Sequence, residues 1–142
     1  MPEPTERTPE PADPLVQVLL GAAGNYLEQR KGGPAFECAQ QALERLGSDR
    51  DTAYAAAVLD RMAAAAQLIG QRDRAERSWL EAQAVQVRLG DHLGAAQTDC
   101  NLASIEKERG NYQDARRLLM RSLQYSAGSP PVENRSAKCS RS

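Results

Sequence analysis

Three stretches of this chain superimpose on one another at a shift of 40 residues. In the two clearer copies Met62-Ala63 falls on Leu102-Ala103, Gly70 on Gly110, Ala75 on Ala115, Trp79 on Leu119 and Ala82 on Ser122. The same shift backwards lands on Ala22-Ala23, Ala35 and Ala42. A repeat of this length predicts stacked helical hairpins, because one hairpin cannot bury its apolar face alone and must lie on the next.

The expected fold class is therefore all-α. Aromatic residues make up only 4% of a chain that is 41% hydrophobic, so alanine and leucine must fill the core. That composition suits close-packed helices and argues against a sheet, whose strands favour β-branched and aromatic side chains. Alanine at 23, 63 and 103, and again at 35, 75 and 115, is what a tight helix crossing demands. A larger side chain there would force the backbones apart, at a cost of about 1–3 kcal/mol.

Punctuation divides the chain. Residues 1–13 hold four of the eight prolines among Glu, Thr and Asp and read as a disordered leader. Residues 127–142, with a Pro-Pro step, serines and scattered basic groups, read as a disordered tail. Between them six helices are expected, at about 14–30, 34–46, 51–69, 72–89, 92–109 and 112–126. Gly33-Pro34 is expected to place proline at a first helical position. Gly47, Gly70, Gly90 and Gly110 are expected to close helices in the left-handed conformation. The short connections then force successive helices to lie antiparallel.

These residues resemble the tetratricopeptide repeat family. Asn101 to Leu123 is similar to the family's Asn-Leu-Gly/Ala opening, its Gly-Asp/Asn-Tyr turn and its inner-face alanine. Arg61 to Ala84 is similar too, with Arg72 where the turn tyrosine usually sits. The period exceeds the usual length of about 34 residues. That longer form, with the joint Leu89-Gly90-Asp91, resembles the repeats of kinesin light chains and of bacterial regulatory proteins. The resemblance covers residues 14–126 and implies a right-handed α-solenoid of three antiparallel hairpins, with repeats at about 14–50, 51–91 and 92–126. In the first copy the glycines fall at Gly32 and Gly33, later than the register of Gly70 and Gly110, which leaves that joint's geometry open.

Reactive groups do not converge in the sequence, so no enzyme and no cofactor is expected. His92 is the only histidine and follows Asp91 at an expected helix start, where a capping aspartate with an exposed neighbour is the ordinary explanation. Cys38, Cys100 and Cys139 are far apart, which predicts neither a metal site nor a disulfide framework and fits a reducing compartment. Gly21-Ala22-Ala23-Gly24 follows no strand and reads as close packing within the first helix, not a phosphate cradle. Trp79 reads as core. Net charge is −1 with both signs interspersed, which gives no basic face for nucleic acid. The apolar run near Val16 is too short to span a bilayer, so a cytoplasmic protein is expected.

The resemblance implies that the first helix of each hairpin lines a concave groove open to a protein or peptide partner. The matching positions are Gln17, Leu20 and Gly24, then Asp60, Arg61, Ala64 and Gln67, then Gln97, Cys100, Asn101, Ser104 and Lys107. Asn101 stands out because a carboxamide both donates and accepts, and so pairs with the backbone of any extended peptide. Arg61 and Lys107 would favour an acidic group. The family's C-terminal carboxylate clamp is not expected, because its Lys and Asn places hold Leu20, Gly24, Arg61, Gln97 and Asn101.

The expected function is a non-catalytic adaptor or scaffold. The alternative is a self-association module, a homodimer formed through Met120 with Leu118 or Leu123 on an uncapped last helix. A weaker third reading is the repeat portion of a regulatory sensor.

Overall fold

The computed structural model describes residues 13–127, and the expected leader and tail lie outside the described residues apart from Asp13 and Ala127. Six helices follow in order: α1 Leu15–Glu28, α2 Gly32–Leu46, α3 Ala53–Leu68, α4 Arg72–Leu89, α5 His92–Glu108 and α6 Tyr112–Ser126. No strand occurs among the described residues. Each helix packs on its chain neighbour, giving three hairpins that stack as α1/α2, α3/α4 and α5/α6.

The repeated columns are buried between those helices, as a solenoid requires. Ala23, Ala63 and Ala103 are buried, as are Ala35, Ala75 and Ala115. Ala42, Ala82 and Ser122 form a third buried column. Trp79 is only 2% exposed and joins Met62 and Ala63 of α3 and Leu102 and Ile105 of α5 in one core. Its indole Nε1–H donates to Asp60 Oδ1 at 3.0 Å, which satisfies the one polar atom that burial would strand.

The helix ends show how the sequence sets the joints. Thr52 and Asp91 cap α3 and α5 by accepting from the backbone N–H of Ala55 and Gly94. After α3 and α5 the chain turns at Gly70 and Gly110, with φ of 81° and 86°. The next amide then reaches back to close the turn, Gln71 to Ala66 and Asn111 to Glu106, each at 2.8 Å. The first hairpin makes the same turn. Arg30 takes φ 61° in that register, and Lys31 N–H donates to the Tyr26 carbonyl at 2.8 Å. All three second helices consequently start 40 residues apart, at Gly32, Arg72 and Tyr112.

Four local expectations need correction. Pro34 is the third residue of α2, not the first, although all of that first turn lacks intrahelical acceptors and tolerates proline equally. Gly47 has φ 60° but ψ −123°, outside the left-handed helical region, because a longer connection runs from it to Thr52. A β-carbon at Gly21 would meet nothing within 4 Å and one at Gly24 would make only ordinary contact with the Arg61 side chain, so neither glycine is required by packing. His92 is partly buried and stacks on Tyr125 of α6, with ring centroids 6.0 Å apart, because the α5 start abuts the α6 end.

Ion pairs tie neighbouring hairpins together. Arg109 at the end of α5 bonds Glu76 and Asp73 of α4, and the Glu76 hydrogen bond in particular holds its guanidinium pKa above the ordinary value. Asp13 bonds Arg45 of α2 and also accepts from the Leu15 amide, so this residue is tied into the folded repeats.

Candidate functional site

α1 packs directly on α3, whereas neither α3 with α5 nor α2 with α4 makes a comparable contact. α3 and α5 part at their N-terminal halves around a cavity of about 200 Å³. Its walls are the small residues Ala53, Ala56 and Ala57 of α3 and Gly94 of α5. At its floor lie the buried Gln86 of α4 and Thr98 of α5. Asp60, Asp91 and Gln97 complete the lining from its more exposed side.

This cavity joins two of the sequence-derived groove residues, Asp60 and Gln97. Asp60 is not wholly free to bind, since its Oδ1 holds the Trp79 indole and its Oδ2 lies 3.6 Å from Arg61 Nη1. Arg61 reaches across to α1. Its Nε is buried with no hydrogen-bond partner, and a β-carbon at Gly24 would lie 3.4 Å from it.

The remaining candidates lie outside the cavity. Asn101 occupies on α5 the register that Arg61 occupies on α3; it is half-buried and has no side-chain hydrogen bond among the described residues. Gln67 and Ser104 are half-buried and Lys107 is exposed in the last turn of α5. These four do not line the cavity. Gln17 instead donates from Nε2 to the Tyr54 hydroxyl at 3.1 Å and links α1 to α3. Leu20 packs against the core, and the exposed Cys100 has its Sγ 3.2 Å from Ser122 Oγ.

Sequence reasoning missed Gln86, Thr98 and Asp99. Gln86 is 7% exposed and its Oε1 accepts from Thr98 Oγ1 at 2.7 Å. One signal was available: the positions one repeat earlier hold Leu46, Val58 and Leu59, so polar side chains had replaced an aliphatic column. At the far end, Leu119 and Leu123 are 45% and 67% exposed, although Trp79 and Gln83 in the same register are covered by the next hairpin. Leu118 turns inward onto the core, and Met120 is exposed as its counterpart Leu80 is.

No described helix is long and apolar enough to cross a membrane. Among the described residues no group of three His, Cys, Asp or Glu side chains is placed to hold a metal ion.

Comparison with known proteins adds three findings. Residues 54–126 match a family model described as tetratricopeptide repeat. The fold is similar to the crystal structure of the TPR domain of Arabidopsis FLU, with a TM-score of 0.74 at 16% identity, over 82% of this chain and 98% of that one. No curated protein sequence matches this chain significantly.

Proposed function

This chain belongs to the tetratricopeptide repeat family, and on that premise we propose that it is a non-catalytic adaptor that binds a peptide or helix of a partner protein between α1, α3 and α5. The family's repeats are in general protein-interaction modules. What supports the groove as the site is one pairing. Arg61 and Asn101 hold the same register on α3 and α5, both half-buried, and the Asn101 carboxamide makes no side-chain hydrogen bond among the described residues. A guanidinium and a carboxamide at one repeat register suit an extended peptide, the first through an acidic group and the second through the main chain. Gln97, Ser104, Gln67 and Lys107 extend that surface along both helices. A cytoplasmic setting accords with the unpaired cysteines Cys38 and Cys100.

The test is capture of a cellular partner by the full chain, identified by mass spectrometry. Arg61→Ala with Asn101→Ala is expected to abolish capture while helicity and oligomeric state stay unchanged. Undiminished capture by that double variant overturns the proposal. Asp60 is unsuitable for this test, because removing it also strands the buried Trp79 N–H.

A second reading rests on the bare Leu119 and Leu123, which suit a second copy of the chain packing on α6. Light scattering decides it. A dimer mass that Leu119→Glu plus Leu123→Glu reduces to a monomer supports self-association, and a monomer at every concentration removes it.

A further inference from the structure

We infer that a second copy of this chain docks head to tail, its α1 seated on the bare face of α6, so that one solenoid continues into the next; the inference rests on the self-association reading above and names the surface that α6 meets. The joints inside the molecule supply the pattern. Where α4 meets α5, Gln83 bonds Asp99, Gln86 bonds Thr98, and Trp79 shares a core with Leu102. One repeat later, the α4 places are Leu123, Ser126 and Leu119 of α6. Two repeats earlier, the α5 places are Leu19, Val18 and Ala22 of α1.

Both halves of that joint are uncovered. Val18 is 63% exposed, whereas its counterparts Val58 and Thr98 are buried against the preceding hairpin. Leu15 is exposed too, although Ala55 and Ala95 at the same place are buried. Leu119 and Leu123 are the bare side chains of the opposite end. An aliphatic joint of the same kind already holds α2 on α3, where Leu43 and Leu46 pack into one core with Val58 and Met62. Solenoid hairpins are held by such nearest-neighbour faces, whichever chain supplies them.

Charge selects α1 as the occupant. The sole charged side chain of α1 is Glu28, in its last turn. α6 carries Arg116, Arg117 and Arg121 against one acid, Asp114. Arg117 pairs with Asp114 and Arg121 with Asp99, whereas Arg116 and Glu28 are exposed and make no ion pair among the described residues. In the α4–α5 joint Arg72 reaches Glu108. Glu28 holds the place of Glu108, and Arg116 lies one turn beyond Tyr112, which holds the place of Arg72. Docking in this register therefore brings Arg116 to the Glu28 of the second copy. A second α6 offers Arg116 no such partner, because its one acid is already paired.

Light scattering on the full chain tests this with two variants that each damage one end, Leu15→Glu plus Val18→Glu on α1 and Leu119→Glu plus Leu123→Glu on α6. All four side chains are exposed, so the helical circular-dichroism signal is expected to stay unchanged. The native chain is expected to grow with concentration beyond a dimer, because a head-to-tail contact leaves a free face at each end of every assembly. Each variant alone is expected to be a monomer. An equimolar mixture is expected to give twice the monomer mass and nothing larger, since each variant keeps the end that the other has lost. A mixture that stays monomeric overturns the inference. So does an α1 variant that keeps the native mass, the result for α6 on α6, which leaves the self-association reading standing. A native chain that is monomeric at every concentration removes both.

Discussion

Arg121 of α6 grips Asp99 of α5 with two parallel hydrogen bonds, Nε to Oδ2 and Nη2 to Oδ1, each 2.9 Å long. Asp99 has no exposure, and its Oδ1 also accepts from Gln83 Nε2 of α4 at 3.0 Å. One carboxylate thereby joins the last two hairpins. Its register counterpart one repeat earlier is the buried Leu59, so an ion pair stands where the preceding repeat uses hydrocarbon.

Breaking half of that pair should cost more than removing all of it. Arg121→Leu leaves a buried carboxylate with only an amide donor, and a loss of about 3 kcal/mol in urea unfolding is expected. Asp99→Leu combined with Arg121→Leu puts at the buried position the hydrocarbon that Leu59 supplies in the earlier repeat and should recover most of that loss. A double variant as unstable as Arg121→Leu would show that the pair stabilises the fold beyond what packing can replace.

The first joint carries two opposite predictions two residues apart. Arg30 occupies a left-handed position that Gly70 and Gly110 fill in the later repeats, so Arg30→Gly should raise stability by about 1 kcal/mol. Gly32 is needed for a different reason. A β-carbon there would lie 2.8 Å from both Leu68 Cβ and Ile69 Cγ2, so Gly32→Ala should lose about 1–3 kcal/mol as α2 and α3 are pushed apart. Thermal unfolding of the two variants should move in opposite directions.

Attachment of the first helix should depend on pH. The Arg45 hydrogen bond, helped by the Leu15 amide, holds the Asp13 carboxyl below its ordinary value of 3.8. A depressed carboxylate stabilises the fold above the unfolded value, and that contribution fades as pH falls through the lowered folded value. Protection of the α1 first-turn amides, taken relative to the intrinsic exchange rate at each pH, should therefore fall below the ordinary value, and Asp13→Asn should remove that pH dependence while lowering protection at neutral pH.

Residue order alone determined the all-α class, the six helices and their boundaries to within two residues, because apolar spacing, capping residues and turn glycines act over a few neighbours along the chain. It also determined that Trp79 and the alanine columns are core, since the shared register leaves them no other face. The displaced glycines of the first repeat were not legible in this way. Gly32 answers to Leu68 and Ile69, far along the chain, while Arg30 holds the turn because the neighbouring hairpin fixes where α2 must start. The candidate site divides likewise. The family pattern pointed to Asn101, Arg61, Gln97 and Asp60, but only the tertiary structure decided that Asp60 holds Trp79 and that Gln86 from a second helix lies at the floor of the α3–α5 cleft. Which polar atoms are left unpaired depends on what each neighbour has already satisfied, and that is fixed when hairpin closes on hairpin.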